Sequence, residues 1–421
     1  MRMRIWSALC VPGLLFGVTS MAFSAGAVAS MKLLAPNVGW AMSMRRLLWT
    51  SNGGASWKDI TPPAPTDKTT PETPDDMGIS TVFFLDTNRG WVLLAHGEPD
   101  VPGGLKFDLA STNNAGDSWS IRHVTVPERN HSGSDILGGA ILAFADSAHG
   151  WLALRDHMGP AFRGMGVLLK TYDAGETWKL ATDTGWNRDD TIGPMLMQTP
   201  QQGWMVDGGA NEQLLGTHDG GRTWKKIELE SPVKTDLMRK YDRNFAQFQN
   251  LEHFQSLFEP TLPPASAKLA RKESQHPSYG AYDLPTFEDP KHGYISVTYP
   301  GVIVLYKTDD GGDSWKPDRV LTGLQEQQTG WKPASAVVDS TWITGGVPKD
   351  GTPQLRKLGP NKHNETDTAP VREDFNIFQM SFATPSQGWV LTNSFTLLST
   401  SDGGASWTDI TPSRTAPAAT P

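Results

Sequence analysis

The sequence predicts an all-β protein, a seven-bladed β-propeller with a helical insertion between blades four and five. Three observations predict it. One eight-residue phrase occurs six times, at residues 50–57 (TSNGGASW), 112–119 (TNNAGDSW), 171–178 (TYDAGETW), 217–224 (THDGGRTW), 308–315 (TDDGGDSW) and 400–407 (TSDGGASW). A second phrase, an apolar run and a short polar turn ending in Gly-Trp, precedes the copies at Trp40, Trp91, Trp151, Trp204 and Trp389, with Gly293-Tyr294 as a variant. Glycine (42), proline (31) and tryptophan (16) are frequent enough in 421 residues to suit many short strands and turns. A phrase repeated at long intervals marks units that bury their faces only against their neighbours.

In chain order, the first segment reads as an export signal, residues 1–27. Arg2 and Arg4 give a positive start, residues 5–18 are mostly apolar, and the small residues at 25–29 suit a signal peptidase. Pro12 and Gly13 interrupt the apolar stretch, which is too short for a membrane span. The one cysteine, Cys10, lies inside this segment. The mature chain therefore has no disulfide to rely on, and a secreted or periplasmic location leaves packing to hold it together.

The propeller is expected over residues 28–412. Each unit reads as strand A, a short turn, strand B opening at Gly-Trp, a variable loop, strand C, the eight-residue hairpin and strand D, which makes one blade. In the hairpin the third side chain (Asn52, Asn114, Asp173, Asp219, Asp310, Asp402) accepts hydrogen bonds from its own turn. The glycine at its fifth position permits positive φ, and its tryptophan opens strand D with a large apolar surface. Six units carry both phrases. A seventh lies between Trp315 and Phe375, where residues 336–338 and 341–343 keep strand character but the hairpin phrase is lost, so blade six is degenerate.

Successive Gly-Trp or Gly-Tyr sites are 51–60 residues apart until Trp204 and Tyr294, where the gap of 90 exposes an insertion over residues 231–281. Leu237, Tyr241, Phe245, Phe248, Leu251, Phe254 and Phe258 follow one another there at helical spacing. The insertion is net basic, whereas the whole chain has a formal net charge of −8. The Pro/Ala/Thr-rich residues 413–421 read as a disordered tail. The acidic balance disfavours nucleic acid or an anionic membrane as partner.

A–B turns are short and C–D turns are the repeated hairpins, so that face is uniform. B–C and D–A connections vary widely in length and share the opposite face, which is the natural binding surface. Trp186, Arg188, Asp189, Asp190 and Trp331 sit there outside either repeat phrase and are the candidate binding residues, since aromatic and arginine side chains anchor recognition. His96, His157, His253 and His276 fall in variable loops without metal-ligand spacing. No metal, no cofactor and no catalytic residue is expected: the chain has no nucleophile elbow and no phosphate loop.

The eight-residue phrase resembles the Asp-box, or BNR repeat, of the propeller families that include sialidases, sortilin-type receptors, xyloglucanases and the photosystem II stability/assembly factors. The resemblance covers about the whole mature chain and implies Asp-box hairpins that are structural and peripheral. The pattern is most similar to the assembly-factor type, within the wider WD40/YVTN/BNR-like group, which implies an exported scaffold that binds a protein or glycan partner as a monomer without catalysis. The alternative is a glycoside hydrolase, sialidase-like or xyloglucanase-like. Against it, the stretch from Met31 to Trp40 lacks the arginine that sialidases carry in blade one, Arg45-Arg46 falls in a B–C turn, and Tyr299 is the one tyrosine expected near a channel mouth.

Overall fold

The computed structural model describes residues 27–43, 45–63, 78–97, 105–126, 140–155, 166–181, 193–207, 213–229, 281–299, 302–321, 333–346, 354–360, 365–370 and 377–412. These residues form seven antiparallel sheets with consecutive strand order and no helix. Blade one is β1 (Val28–Ala35), β2 (Val38–Ser43), β3 (Arg46–Thr50) and β4 (Lys58–Asp59). Blade two is β5 (Gly78–Phe84), β6 (Gly90–Gly97), β7 (Leu105–Thr112) and β8 (Ser120–His123). Blade three is β9 (Ala140–Phe144), β10 (Gly150–Arg155), β11 (Gly166–Thr171) and β12 (Lys179–Leu180). Blade four is β13 (Met195–Met197), β14 (Gly203–Asp207), β15 (Gln213–Thr217) and β16 (Lys225–Lys226).

In blade five the inner position is shared by β17 (Ala281–Tyr282) and β18 (Thr286–Phe287), both paired with β19 (Gly293–Tyr299), followed by β20 (Val302–Thr308) and β21 (Lys316–Leu321). Blade six is β22 (Ser335–Val338), β23 (Thr341–Gly346), β24 (Gln354–Leu358) and β25 (Glu365–Pro370). Blade seven is β26 (Ile377–Phe382), β27 (Gly388–Thr392), β28 (Leu397–Thr400) and β29 (Thr408–Asp409). The degenerate sixth unit thus keeps a complete blade. The helical insertion, the signal segment and the tail lie outside the described residues.

Side chains alternate across each strand, so one set faces the preceding blade and the other the next. The buried apolar residues accordingly divide into seven clusters, each shared by two adjacent blades. The cluster of Val28, Met31, Leu33 and Ala41 with Trp389, Leu391, Leu397 and Ile410 joins blade one to blade seven and closes the ring. Closure is reinforced at the inner strands. The Gln379 amide accepts the Met31 N–H at 3.3 Å and donates to the Met31 carbonyl at 3.1 Å. The Ser381 hydroxyl likewise brackets Leu33, at 3.1 and 3.2 Å. Each terminal blade supplies its own four strands, so the ring closes without a swapped strand.

The two phrases meet across blades. Trp91 of blade two stacks on Phe144 of blade three at a 3.7 Å centroid distance and donates its indole N–H to the Ala174 carbonyl in that blade's hairpin. Trp151 donates in the same way to Gly220, and Trp204 packs against the glycine position of Gly312. The glycine ahead of each such tryptophan has its own partner: a Cβ on Gly90, Gly150, Gly293 or Gly388 would strike the ring of Phe84, Phe144, Phe287 or Phe382 in the same blade. Trp151, Trp204 and Trp389 are at most 1% exposed, whereas the hairpin tryptophans are half-buried except Trp315. The Gly-Trp tryptophan, more than the hairpin one, is therefore the anchor of each interface.

Inside every hairpin the threonine hydroxyl donates to the Asp or Asn side chain and accepts the fifth-position N–H, as in Thr308 with Asp310 (2.7 Å) and Gly312 (2.9 Å). The carboxylate then accepts the seventh residue's N–H and hydroxyl, at 3.0 and 2.5 Å for Ser314. Both the fourth and the fifth positions are left-handed, including the non-glycine Ala115 and Ala174. The fourth-position N–H pins the hairpin to the A–B turn of its own blade, as in Gly53 to the Asn37 carbonyl at 2.8 Å.

These bonds hold the carboxylates low. The Ser314 hydroxyl, working against partial burial, puts Asp310 at about 2, and Ser406 depresses Asp402 in the same way. For Asp173 and Asp219, hydrogen bonds outweigh a larger opposing burial effect. A carboxylate depressed on folding stabilises above its unfolded pKa, and that contribution is lost as pH falls through the folded value. Asn52 and Asn114 show that a neutral amide preserves the hairpin, with Nδ2 donating to Ser56 and Ser118 at 2.8 and 2.9 Å. Asn at positions 173, 219, 310 and 402 is therefore expected to leave a urea midpoint that falls less steeply than wild type between about pH 4 and pH 2. Equal slopes would remove these groups from the acid response.

Blade six solves its missing hairpin differently. Its A–B turn, Asp339-Ser340, is left-handed at both residues, and the Ser340 carbonyl occupies the place of the Asn37 carbonyl. Among the described residues no hairpin amide reaches it. Instead Arg319 of β21, 4% exposed, extends its guanidinium from blade five and donates to the carbonyls of Ser340 (2.8 Å), Leu358 (2.7 Å) and Gly359 (3.1 Å). A register shift in β21 leaves Asp318 beside it, and Asp318 accepts the Arg319 Nε–H at 2.8 Å. Glu288 adds a second tie across this interface by accepting the Ser340 N–H and, at 2.9 Å, the Ser340 hydroxyl.

Candidate functional site

The inner strands and the B–C and D–A ends of the blades are the parts of the ring that the repeats do not consume. On the opposite face, the third-position carboxylates of the hairpins and the leading aspartates of three A–B turns are committed to their own loops: Asp86 to the N–H groups of Asn88 and Arg89, Asp146 to Ala148 and His149, Asp289 to Lys291 and His292. The His292 ring, with the two backbone donors, holds Asp289 at about 2. Groups satisfied in this way build the turns and offer little to a ligand.

The candidate binding residues Trp186, Arg188, Asp189, Asp190 and Trp331, and the insertion over 231–281 up to Ala281, lie outside the described residues. The described strands on either side of them, β12 and β13 for the first group and β21 and β22 for Trp331, have their D–A ends on the face predicted to bind.

Three side chains come together on that side of blade two. Asp108 of β7, 5% exposed, places its carboxylate between His96 Nε2 at 2.9 Å and His123 Nδ1 at 3.1 Å. His96 belongs to β6, which corrects its placement in a variable loop: it pairs in register with Lys106. Asp108 was missed in the sequence because the alternation of β7 marks it only as one more polar position, and nothing local shows that strands β6 and β8 bring histidines to it. The trio holds a buried carboxylate but has no described hydroxyl or thiol nucleophile against it. No cluster of metal-binding geometry occurs among the described residues.

Tyr299 also departs from expectation. It is 4% exposed in the core between blades four and five, where burial raises its pKa and its hydroxyl lies 3.2 Å from that of Tyr306. Strand β19 continues the alternation of Ile295 and Val297 to this residue, so the position faces a neighbouring blade rather than the channel.

No protein-family model matches the chain. Over 261 residues it is 24% identical to the chloroplast photosystem II stability/assembly factor HCF136 of Arabidopsis thaliana, a match that covers 57% of this chain and 61% of that protein. Over 254 residues it is 25% identical to the photosystem II assembly lipoprotein Ycf48 of Trichormus variabilis, covering 50% and 70%. The chain thus spans about three fifths of the first of these relatives. Among solved structures, a puromycin hydrolase matches with a TM-score of 0.50 at 12% identity, over 94% of this chain and 55% of that one, a likeness of fold alone. The chain is a seven-bladed repeat propeller with weak homology to the photosystem II stability/assembly factors.

Proposed function

We propose that this chain is an exported, non-catalytic assembly scaffold that binds a protein partner on the face formed by its B–C and D–A connections. One observation carries the reading: the hairpin face spends its third-position Asp and Asn side chains on its own turns, while every long connection leaves from the other face. The homologues named as assembly factors supply the functional class, and export follows from the signal-like first residues. Assembly by a propeller needs a rigid body and an adaptable rim, and the ring provides the first while the loops provide the second.

The net basic insertion over 231–281 is the element we assign to docking, since its charge contrasts with the acidic body. Replacing it with a short Gly/Ser linker should leave the thermal unfolding profile close to that of the full chain, because both flanking blades carry their own strands. The same variant should lose the partner that the full chain captures by crosslinking in envelope membranes of the exporting cell. Retention of that partner would move docking to the loops around Trp186 and Trp331. Turnover of aryl glycosides or sialosides by the purified chain would replace the scaffold reading with a hydrolase.

A further inference from the structure

Four of the six hairpins carry aspartate at the third position and two carry asparagine; one of these, Asn52, is followed by glycine. An Asn-Gly pair is chemically labile, because a glycine without a side chain lets its backbone nitrogen close on the asparagine Cγ. Once hydroxide has taken the Gly53 amide proton, that nitrogen bonds to Cγ in a five-membered succinimide and the side-chain nitrogen leaves as ammonia. Water then opens the ring at either carbonyl and gives aspartate or isoaspartate. Nothing is oxidised or reduced, and water is the only co-reactant.

The folded hairpin holds the reacting groups apart. The Thr50 hydroxyl and the Ser56 N–H donate to Asn52 Oδ1 at 2.8 and 2.9 Å, and Asn52 Nδ2 donates to the Ser56 hydroxyl at 2.8 Å. The carboxamide is thereby committed to residues 50 and 56. The Gly53 N–H is committed elsewhere, to the Asn37 carbonyl at 2.8 Å. Attack must break that bond and free the carboxamide from its three. Asn52 is itself exposed, so the hairpin protects it by geometry and not by excluding water. Asn114 is held by the same four bonds, at 2.8, 3.0, 2.9 and 2.8 Å, but Ala115 follows it and supplies a Cβ against attack.

This hairpin rests on the seam of the ring. A Cβ on Gly54 would lie 2.6 Å from Ile410, the Trp57 indole N–H donates to the Ile410 carbonyl at 3.0 Å, and the Trp57 and Trp389 ring centroids are 5.7 Å apart. Trp389 and Ile410 belong to blade seven, which is not consecutive with blade one in the chain, so no D–A connection spans this interface. Local opening draws on boundaries held by packing alone.

We propose that Asn52 is a conformationally gated deamidation site, protected while blades one and seven are packed and converted when that seam opens. The aspartate product suits the hairpin: where Asp310 and Asp402 stand, the seventh-position hydroxyls of Ser314 and Ser406 donate to the carboxylate at 2.5 and 2.6 Å. Ser56 need only turn its hydroxyl proton to do the same. Isoaspartate instead adds a methylene to the backbone and carries the Gly53 N–H away from Asn37. Opening of the seam thus ends in a hairpin with one more negative charge or in one that no longer closes, and either product is a lasting record of the event. The assignment goes beyond the scaffold reading and uses none of the residues given to partner docking.

Peptide mapping by mass spectrometry tests it, following Asn52 and Asn114 in the full chain during incubation in mildly alkaline buffer, with and without urea. In urea Asn52 should convert faster than Asn114. In the folded chain Asn52 should convert at least about tenfold more slowly than in urea, since the rate follows the open fraction. Trp57→Phe, which removes the donor to Ile410, should raise the folded-state rate at Asn52 by about two- to tenfold, as loss of one hydrogen bond gives, and leave Asn114 unchanged. Trp151→Phe makes the same change between blades three and four and should not move Asn52. If Trp57→Phe fails to fold, Gln379→Ala loosens the seam from the inner strands in its place. Asn52→Asp should melt at the wild-type temperature. Equal rates with and without urea overturn the protection. No acceleration by the seam variant, or equal acceleration by Trp151→Phe, overturns the gate, and a lowered melting temperature for Asn52→Asp overturns the fit of the product.

Discussion

Arg319→Ala is expected to destabilise the ring by about 3–5 kcal/mol, the usual cost of removing one member of a buried, hydrogen-bonded charge pair. The guanidinium is 4% exposed and serves three carbonyls of blade six together with Asp318. It also lies 5.6 Å from the Tyr294 ring centroid. Alanine would leave the carbonyls of Ser340, Leu358 and Gly359 without this donor, in the one blade whose C–D connection lacks the repeated hairpin phrase. Arg319→Lys should recover only part of the loss, because one ammonium cannot both serve the three carbonyls that Nη1 meets and keep the Asp318 bond that Nε makes. Urea unfolding followed by tryptophan fluorescence measures both variants. A loss below about 1 kcal/mol for alanine would place Arg319 among surface ion pairs and leave blade six held by apolar packing alone.

Trp151→Ala is expected to cost a similar amount, about 3–5 kcal/mol, through a different mechanism. The indole is 0% exposed and fills the interface between blades three and four among Ala143, Leu168, Met195 and Met205. Its N–H meets the Gly220 carbonyl at 2.9 Å, and the Lys170 ammonium sits 4.7 Å above its ring. Truncation therefore opens a cavity, takes the indole donor from the Gly220 carbonyl and removes one of the contacts of the Lys170 ammonium, which keeps the Pro200 carbonyl. Trp224→Ala, at a half-buried hairpin position in the same interface, should cost less. Chemical denaturation with the m-value monitored checks the order of the two effects. Equal losses would mean that the hairpin tryptophan shares the anchoring role.

Much of this fold is legible in the chain because its signals are local. Thr308, Asp310, Gly312 and Ser314 lie within seven residues and complete their hydrogen bonds among themselves, so spacing alone reveals the turn. The strand-opening Gly90-Trp91 and Gly150-Trp151 pairs announce their position for the same reason, and blade six could be placed from residues 336–338 and 341–343. The candidate site was less accessible. His96, Asp108 and His123 come from three strands of one blade, and only the register of the sheet brings the two rings to the carboxylate.

The sequence by itself determined the number of blades, the order of strands within each and the identity of the hairpin that joins C to D, since these rest on contacts a few residues apart. The tertiary structure decided what depends on closing the ring. Met31 finds Gln379 and Leu33 finds Ser381 across 348 positions of chain, and that closure packs blade one on blade seven. Arg319 likewise gains its meaning only where blade five packs on a blade that lacks its hairpin. The physical reason is the same in each case: a turn satisfies its polar groups within itself, whereas a buried charge is satisfied by whichever distant strand the fold lays beside it.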